Sequence, residues 1–187
     1  MNTIREGTDT LVGWLIARYK NWEGVKQFQG TSDRLVKLYS DLCWTPQMIK
    51  MELEEQVKVF ENEYDEMVIS RRNSVWVLCP HHLLPVHLKV SIGFIPNLGK
   101  VLGLSKFTRI ATIMGKRPIM QEQYSMELAD FLYTSLGPKG VAVYIEGVHG
   151  CMASRGVQQE VQVVTSKLVG AFLDEPSTKA EFLQAVR

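Results

Sequence analysis

Residues 86–94 read VHLKVSIGF. Val86, Leu88, Val90, Ile92 and Phe94 alternate with His87, Lys89, Ser91 and Gly93, so an extended chain carries its large apolar side chains on one face only. That is the mark of a half-buried strand. Before it, residues 67–78 read as a partner strand. After it, helical spacing takes over, with Phe107, Ile110, Ala111 and Met114 in 105–114. A longer helix follows Pro118 and stops at Gly137-Pro138. Period two resumes at Val141, Val143 and Ile145, and 161–172 holds the last strand. Asp174 or Ser177 caps a closing helix with Phe182, Leu183 and Val186. The order is ββααββ plus a terminal helix. It predicts an α+β domain over 65–187, an antiparallel sheet with helices on one face.

The residues ahead of it predict an N-terminal helical region, 1–64. Leu11, Val12, Leu15 and Ile16 recur at helical spacing within 8–20. Ser32 is a candidate cap for a helix carrying Leu35, Leu38, Tyr39 and Leu42. Thr45-Pro46 is an N-cap and first-turn pair for a third, with Ile49, Leu53, Val57 and Phe60 on one side.

With 187 residues, the chain is long enough for one core with an extension. Its 21 basic and 20 acidic side chains leave a net charge of +1, against a general nucleic-acid or membrane-surface binder. No signal peptide or membrane span is expected, because neither terminus nor interior holds a long apolar run. Three cysteines make no disulfide framework and suggest a reducing, cytoplasmic setting.

Two clusters carry candidate chemistry, each at the end of an expected strand. Cys79-Pro80-His81-His82 contains a compact Cys-x-x-His clip, and His149-Gly150-Cys151 offers a further thiol. Thiolate and imidazole suit zinc, and three protein ligands leave a fourth position open, as in catalytic zinc sites. From spacing alone, Cys79, His82 and Cys151 read as ligands about as readily as Cys79 and Cys151 read as buried apolar fillers. His81 and His149 are then free to move protons, histidine titrating near pH ~6.5, or read instead as partners that orient a ligand or as satisfied core residues. His87 reads as solvent-exposed and Cys43 as a packing residue.

Ser105 reads as the cap of the helix at 105–114, which sets Lys106 and Arg109 near its N-terminus. Cations there oppose the helix dipole unless an anion is bound, and by themselves they read first as two solvated surface charges. Arg34, Lys37 and Arg155 could add to such an anion site. Gln121-Glu122 opens the long helix. A carboxylate can accept from both N1–H and the 2-amino group of guanine, though glutamate in a first turn is also favourable by itself.

Taken together these segments resemble zinc-dependent GTP cyclohydrolase I over residues 31–187. The resemblance is carried by Asp65-Glu66-Met67-Val68, by Cys79-Pro80-His81-His82, by Gly93-Phe94-Ile95-Pro96-Asn97 and by Val101 through Ile110. It continues in Arg117-Pro118, Met120-Gln121-Glu122, Val148-His149-Gly150-Cys151, Arg155-Gly156, Val164-Thr165-Ser166 and Glu181-Phe182-Leu183. It implies a tunnelling fold assembled as a toroidal homodecamer, with active sites between subunits and GTP as substrate. By position, Cys79, His82 and Cys151 would hold zinc, and a water it activates would attack C8. His149 would protonate N7, while His81 with Ser105 would assist ribose opening and pterin ring closure. Glu122 and Gln121 would read the guanine, and Lys106, Arg109, Arg155, Arg34 and Lys37 would surround the triphosphate. One departure is Pro80, where the family usually carries an acidic residue; it takes a carboxylate away from His81. Alternatives are a cyclohydrolase with altered nucleotide preference or an incomplete reaction, and a non-catalytic purine- or pterin-binding protein.

Overall fold

The chain begins with α1 (Asn2–Arg18), a 3-10 helix (Glu23–Phe28) and α2 (Thr31–Leu42). A computed structural model describes residues 2–187. α1 packs on α2, Val12 is buried, and Arg5 pairs with Asp33. The cap of α2 is Gly30 in the left-handed region, φ 71°, so Ser32 lies inside the helix instead of capping it. The chain forms two compact units, one ending at Trp44 and the other running from Thr45 to Arg187.

The second unit opens with α3 (Pro46–Gln56), capped by Thr45, whose Oγ1 accepts from Met48 N–H at 3.2 Å. Val57 and Phe60, expected on this helix, lie beyond it. Phe60 sits in β1 (Val59–Glu61), which pairs with a later strand, β4 (Lys100–Leu102). Between them run β2 (Val68–Leu78) and β3 (Pro85–Ile95). Then come α4 (Leu104–Met114), α5 (Gln121–Leu136), β5 (Gly140–His149), the one-turn α6 (Gly150–Ala153) and β6 (Gln162–Gly170). The chain closes with α7 (Ala171–Asp174) and α8 (Pro176–Val186). The sequence divided the chain at 64/65; the compact units divide at 44/45, because α3 packs on α4 and β1 pairs with β4.

β2, β3, β5 and β6 form one antiparallel sheet in that order. With α4 and α5 between its two hairpins it has the ββααββ order of the tunnelling fold. The apolar face of β3 is fully covered: Val86, Leu88, Val90 and Ile92 are at most 1% exposed. Over this face lie Phe107, Ile110 and Ala111 of α4 and Leu128, Ala129 and Leu132 of α5, all buried. Tyr124 is also fully buried, and its hydroxyl donates to Ala111 O at 2.7 Å. Burial holds that phenol well above its ordinary range. Gly137, in the left-handed region at φ 58°, ends α5 where the sequence predicts.

The last strand stops at Gly170, not 172, and α8 is led in by Glu175-Pro176 instead of a capping Asp174 or Ser177. α7 and α8 cover one end of the opposite sheet face. There Phe172 and Phe182 meet edge to face, with centroids 5.4 Å apart, and pack with Ala142 and Val186. Gly93 and its cross-strand partner Ala142 leave the room for them: a Cβ on Gly93 would lie 2.8 Å from Phe182 and 2.9 Å from Phe172. Among the described residues no helix is long and apolar enough to cross a membrane.

Phe182 thus ties the terminal helix into the sheet. Phe182→Ala should lower unfolding free energy by about 3–5 kcal/mol, read from the denaturation midpoint.

Candidate active site

The register of the sheet brings the two sequence clusters together. Val77 pairs with Val86 and Val86 with His149, so the three lie in one row across β2, β3 and β5. Directly paired residues share a face, and Val86 is in the core, so His149 points to the helix-covered side. Cys79 lies two residues past Val77 and Cys151 two past His149, at the same end of the sheet. Between them the chain turns tightly: Leu83 N–H donates to Cys79 O at 2.9 Å, and Cys79 N–H to Leu84 O at 3.0 Å. Gly150 lets β5 pass close to this turn, since a Cβ there would sit 2.7 Å from Pro85 O. Leu78 bridges to Pro118 and accepts from Ile119 N–H at 3.0 Å, which carries the start of α5 to the same place.

The result is a cleft of about 200 Å³ with Val77, Val86 and Ile119 in its wall. Cys79, His81, His82, Gln121, Glu122, His149 and Cys151 line it together. One ligand atom from each of Cys79, His82 and Cys151 lies within 4.8 Å of the others, a group that could hold a metal ion. Cys79 Sγ is 3.5 Å from His82 Nδ1. A tetrahedral zinc ion separates such donors by about 3.5 Å, given Zn–S near 2.3 Å and Zn–N near 2.0 Å. The donor chemistry and the spacing both fit that ion. Burial raises the Cys151 thiol above its ordinary range, with the hydrogen bond and charge of Cys79 adding to the rise; its own backbone and Arg155 pull the other way.

His149 is lowered by burial, a shift the Glu122 charge only partly offsets. Its Nε2 lies 2.9 Å from Gln121 Oε1. Gln121 is 2% exposed, and its Nε2 donates to Val163 O at 2.9 Å and Thr165 Oγ1 at 3.2 Å, so its side-chain amide is fully engaged inside the protein. Glu122, by contrast, is exposed at the cleft. His81 is exposed at the rim, its Nδ1 4.0 Å from Cys79 Sγ. Arg155 Nη1 donates to His82 Nε2 at 2.7 Å.

The remaining predicted residues are not among those lining the cleft. α4 begins at Leu104 with Gly103 as cap, so Ser105 lies in its first turn and does not cap it. Gly115, at the other end of α4, abuts Val75 and Val77 beside the cleft. Ser105 therefore sits about 15 Å away along the helix axis. Lys106 donates to Gln56 Oε1 at 2.9 Å, and Arg109 is exposed. Arg34 and Lys37 belong to the N-terminal unit, where Arg34 donates to Gln29 O at 3.0 Å and Thr31 Oγ1 at 2.9 Å. Sequence reasoning missed Ser125 and Gly147 and gave Thr165 no role. A glycine inside a strand does signal a close approach.

A model of the GTP cyclohydrolase I family matches residues 14–187. The chain belongs to the GTP cyclohydrolase I family. It is 41% identical over 167 residues to GTP cyclohydrolase 1 of Sulfurihydrogenibium sp., a match covering 89% of this chain and 84% of that one. It is 44% identical over 129 residues to GTP cyclohydrolase 1 of Drosophila melanogaster, covering 68% of this chain and 40% of the length of that relative. Among solved structures, the archaeosine synthase QueF-Like in its apo form aligns with a TM-score of 0.45 at 21% identity, over 56% of this chain and 96% of that one.

Proposed function

We propose that this chain is a zinc-dependent GTP cyclohydrolase I, a cytoplasmic enzyme that hydrolyses GTP at C8 to 7,8-dihydroneopterin triphosphate and formate. The observation that carries this reading is the convergence of Cys79, His82 and Cys151 with His81, His149 and Glu122 on one cleft. Zinc held by those three ligands would supply the Lewis acidity that makes water a nucleophile at neutral pH.

The chain's own groups do the rest. Glu122 accepts from N1–H and the 2-amino group of guanine and sets C8 toward the ligand trio. Because the Gln121 amide is engaged, backbone N–H groups at the start of α5 complete the reading of the base. His149 delivers a proton to N7 when water adds at C8, and a second hydrolysis frees C8 as formate. His81 with Ser105 assists ribose opening and ring closure. Were His82 to hold the metal through Nδ1, its ring hydrogen would sit on Nε2, and Arg155 would lose its acceptor there and be free for the triphosphate.

The cleft takes a purine base, being smaller than the ~300–1,000 Å³ of a whole-ligand pocket. The triphosphate must lie outside it, yet on the same chain Ser105, Lys106 and Arg109 stand about 15, 14 and 9 Å from Gly115 along the α4 axis. A neighbouring copy supplies them, with Arg34 and Lys37, in a site between subunits. The sheet supports such assembly, since β2 and β6 are its edges and an unpaired edge recruits another strand. A homodecameric ring closes every edge.

Zinc-loaded protein should release one formate per GTP. Cys151→Ala, or prior chelation, should abolish this and remove bound zinc, measured by metal analysis with product chromatography. Loaded protein giving neither formate nor a formylated pyrimidine from GTP sinks the proposal. A formylated pyrimidine in place of dihydroneopterin triphosphate would assign the missing Pro80 carboxylate to the later steps. Glu122→Ala should lower kcat/KM for GTP by about 100-fold or more, since two charge-assisted hydrogen bonds are lost, each ~1.5–3 kcal/mol.

A further inference from the structure

The hydrogen bonds around Gln121 have a single consistent polarity. Its Nε2 faces Val163 O at 2.9 Å and Ile145 O at 3.5 Å, main-chain carbonyls that only accept. The amide nitrogen must therefore point at the strands and Oε1 away from them. Oε1 also only accepts, and it lies 2.9 Å from His149 Nε2. The ring hydrogen of neutral His149 must sit on Nε2, which leaves Nδ1 with a lone pair. The hydroxyls agree. Ser125 Oγ donates to Gln121 O at 2.8 Å, so across its 2.6 Å contact with Thr165 it accepts. Thr165 Oγ1 thus donates to Ser125 and is free to accept from Gln121 Nε2 at 3.2 Å.

Gly147 provides the space for this arrangement. It lies on β5 two residues before His149, on the same face. A Cβ there would overlap Gln121 Oε1 and lie 2.9 Å from Leu88 Cδ2. Its φ lies outside the left-handed region, so room for the amide, not backbone conformation, accounts for the glycine.

We infer that Gln121 is a positioning residue: seated over Gly147 and anchored by Val163, Thr165 and Ser125, it holds His149 as the Nε2–H tautomer, so that His149 exchanges protons with a ligand through Nδ1. The tautomer stands on the hydrogen bonds alone; its consequence rests on the proposed reaction. There Nδ1 takes the proton that water loses as oxygen bonds to C8. It passes that proton to N7 as the C8=N7 double bond becomes single, and the ring returns to its neutral form.

Solid-state 15N NMR of histidine-labelled, zinc-loaded protein tests this, with His149 assigned by the signal lost in His149→Asn. The unaltered protein should show His149 with Nε2 protonated and Nδ1 bare. Gln121→Leu should mix the tautomers and lower kcat for formate release about 10- to 100-fold, with KM for GTP changed by no more than about twofold. Gly147→Ala should mix them too, although Gln121 is intact. A hydrogen on Nδ1 in the unaltered protein overturns the inference, whether or not the variants fold. So does an unchanged tautomer in Gln121→Leu, or a rise in KM alone. Protein that shows the Nε2–H form but gives neither formate nor a formylated pyrimidine upholds the tether and refutes the cyclohydrolase reading. Formate release with the opposite tautomer refutes the tether alone.

Discussion

One row of strand pairing, Val77 to Val86 to His149, underlies everything at the cleft. A slip of one residue would turn every side chain of a strand to the other face. His149 would then leave the helix-covered side, and Cys79 would part from Cys151. The buried run Val86, Leu88, Val90 and Ile92 resists such a slip, because each step would expose four large apolar side chains. The one irregularity in β2, between Ser70 and Asn73, is kept at the far end. There Arg72 adopts φ 53°, its N–H donates to Ser91 Oγ at 3.1 Å, and the Asn73 amide donates to Val90 O at 2.8 Å. From Asn73 to Leu78 the pairing is unbroken, so the bulge does not disturb the site.

The long elements were legible in sequence because burial on one side imposes a period, and a period survives without any knowledge of partners. Short elements carry no such record. β1 and β4 have three residues each, and Phe60 continued a helical spacing by coincidence. Helix starts were misplaced where glycine stands at the cap, Gly30 and Gly103, since capping signals are read from side-chain oxygens. The group Cys79, His82 and Cys151, which could hold a metal ion, was visible as two clusters because its members sit beside strand ends in the sequence itself. The Gln121 tether was not. Its meaning depends on Gly147, Val163 and Thr165, which only the β5–β6 pairing sets against the start of α5.

Helix direction separates the groups a triphosphate substrate would need. α4 ends and α5 begins beside Val77, so the cleft receives the N-terminus of α5 and with it Glu122. The N-terminus of α4, with Lys106, lies at the opposite end of the same helix. A net charge of +1 therefore describes no uniform surface. Glu122 and Lys106 thus lie toward opposite ends of one helix layer, and under the proposed reading only a neighbouring copy brings the two kinds of group together.

Why an amide, and not a carboxylate, should hold His149 follows from the burial of position 121. A carboxylate there would also accept from Nε2–H, but it would place a charge at a site 2% exposed. It would favour the imidazolium as well. The amide orients the ring at no charge, and its nitrogen satisfies carbonyls that a carboxylate would repel. Burial then lowers the affinity of His149 for a proton, and Glu122, exposed at the cleft, offsets this only in part. In the proposed reaction, where His149 accepts a proton and gives it up within one cycle, such weak retention serves better than a buried counter-charge.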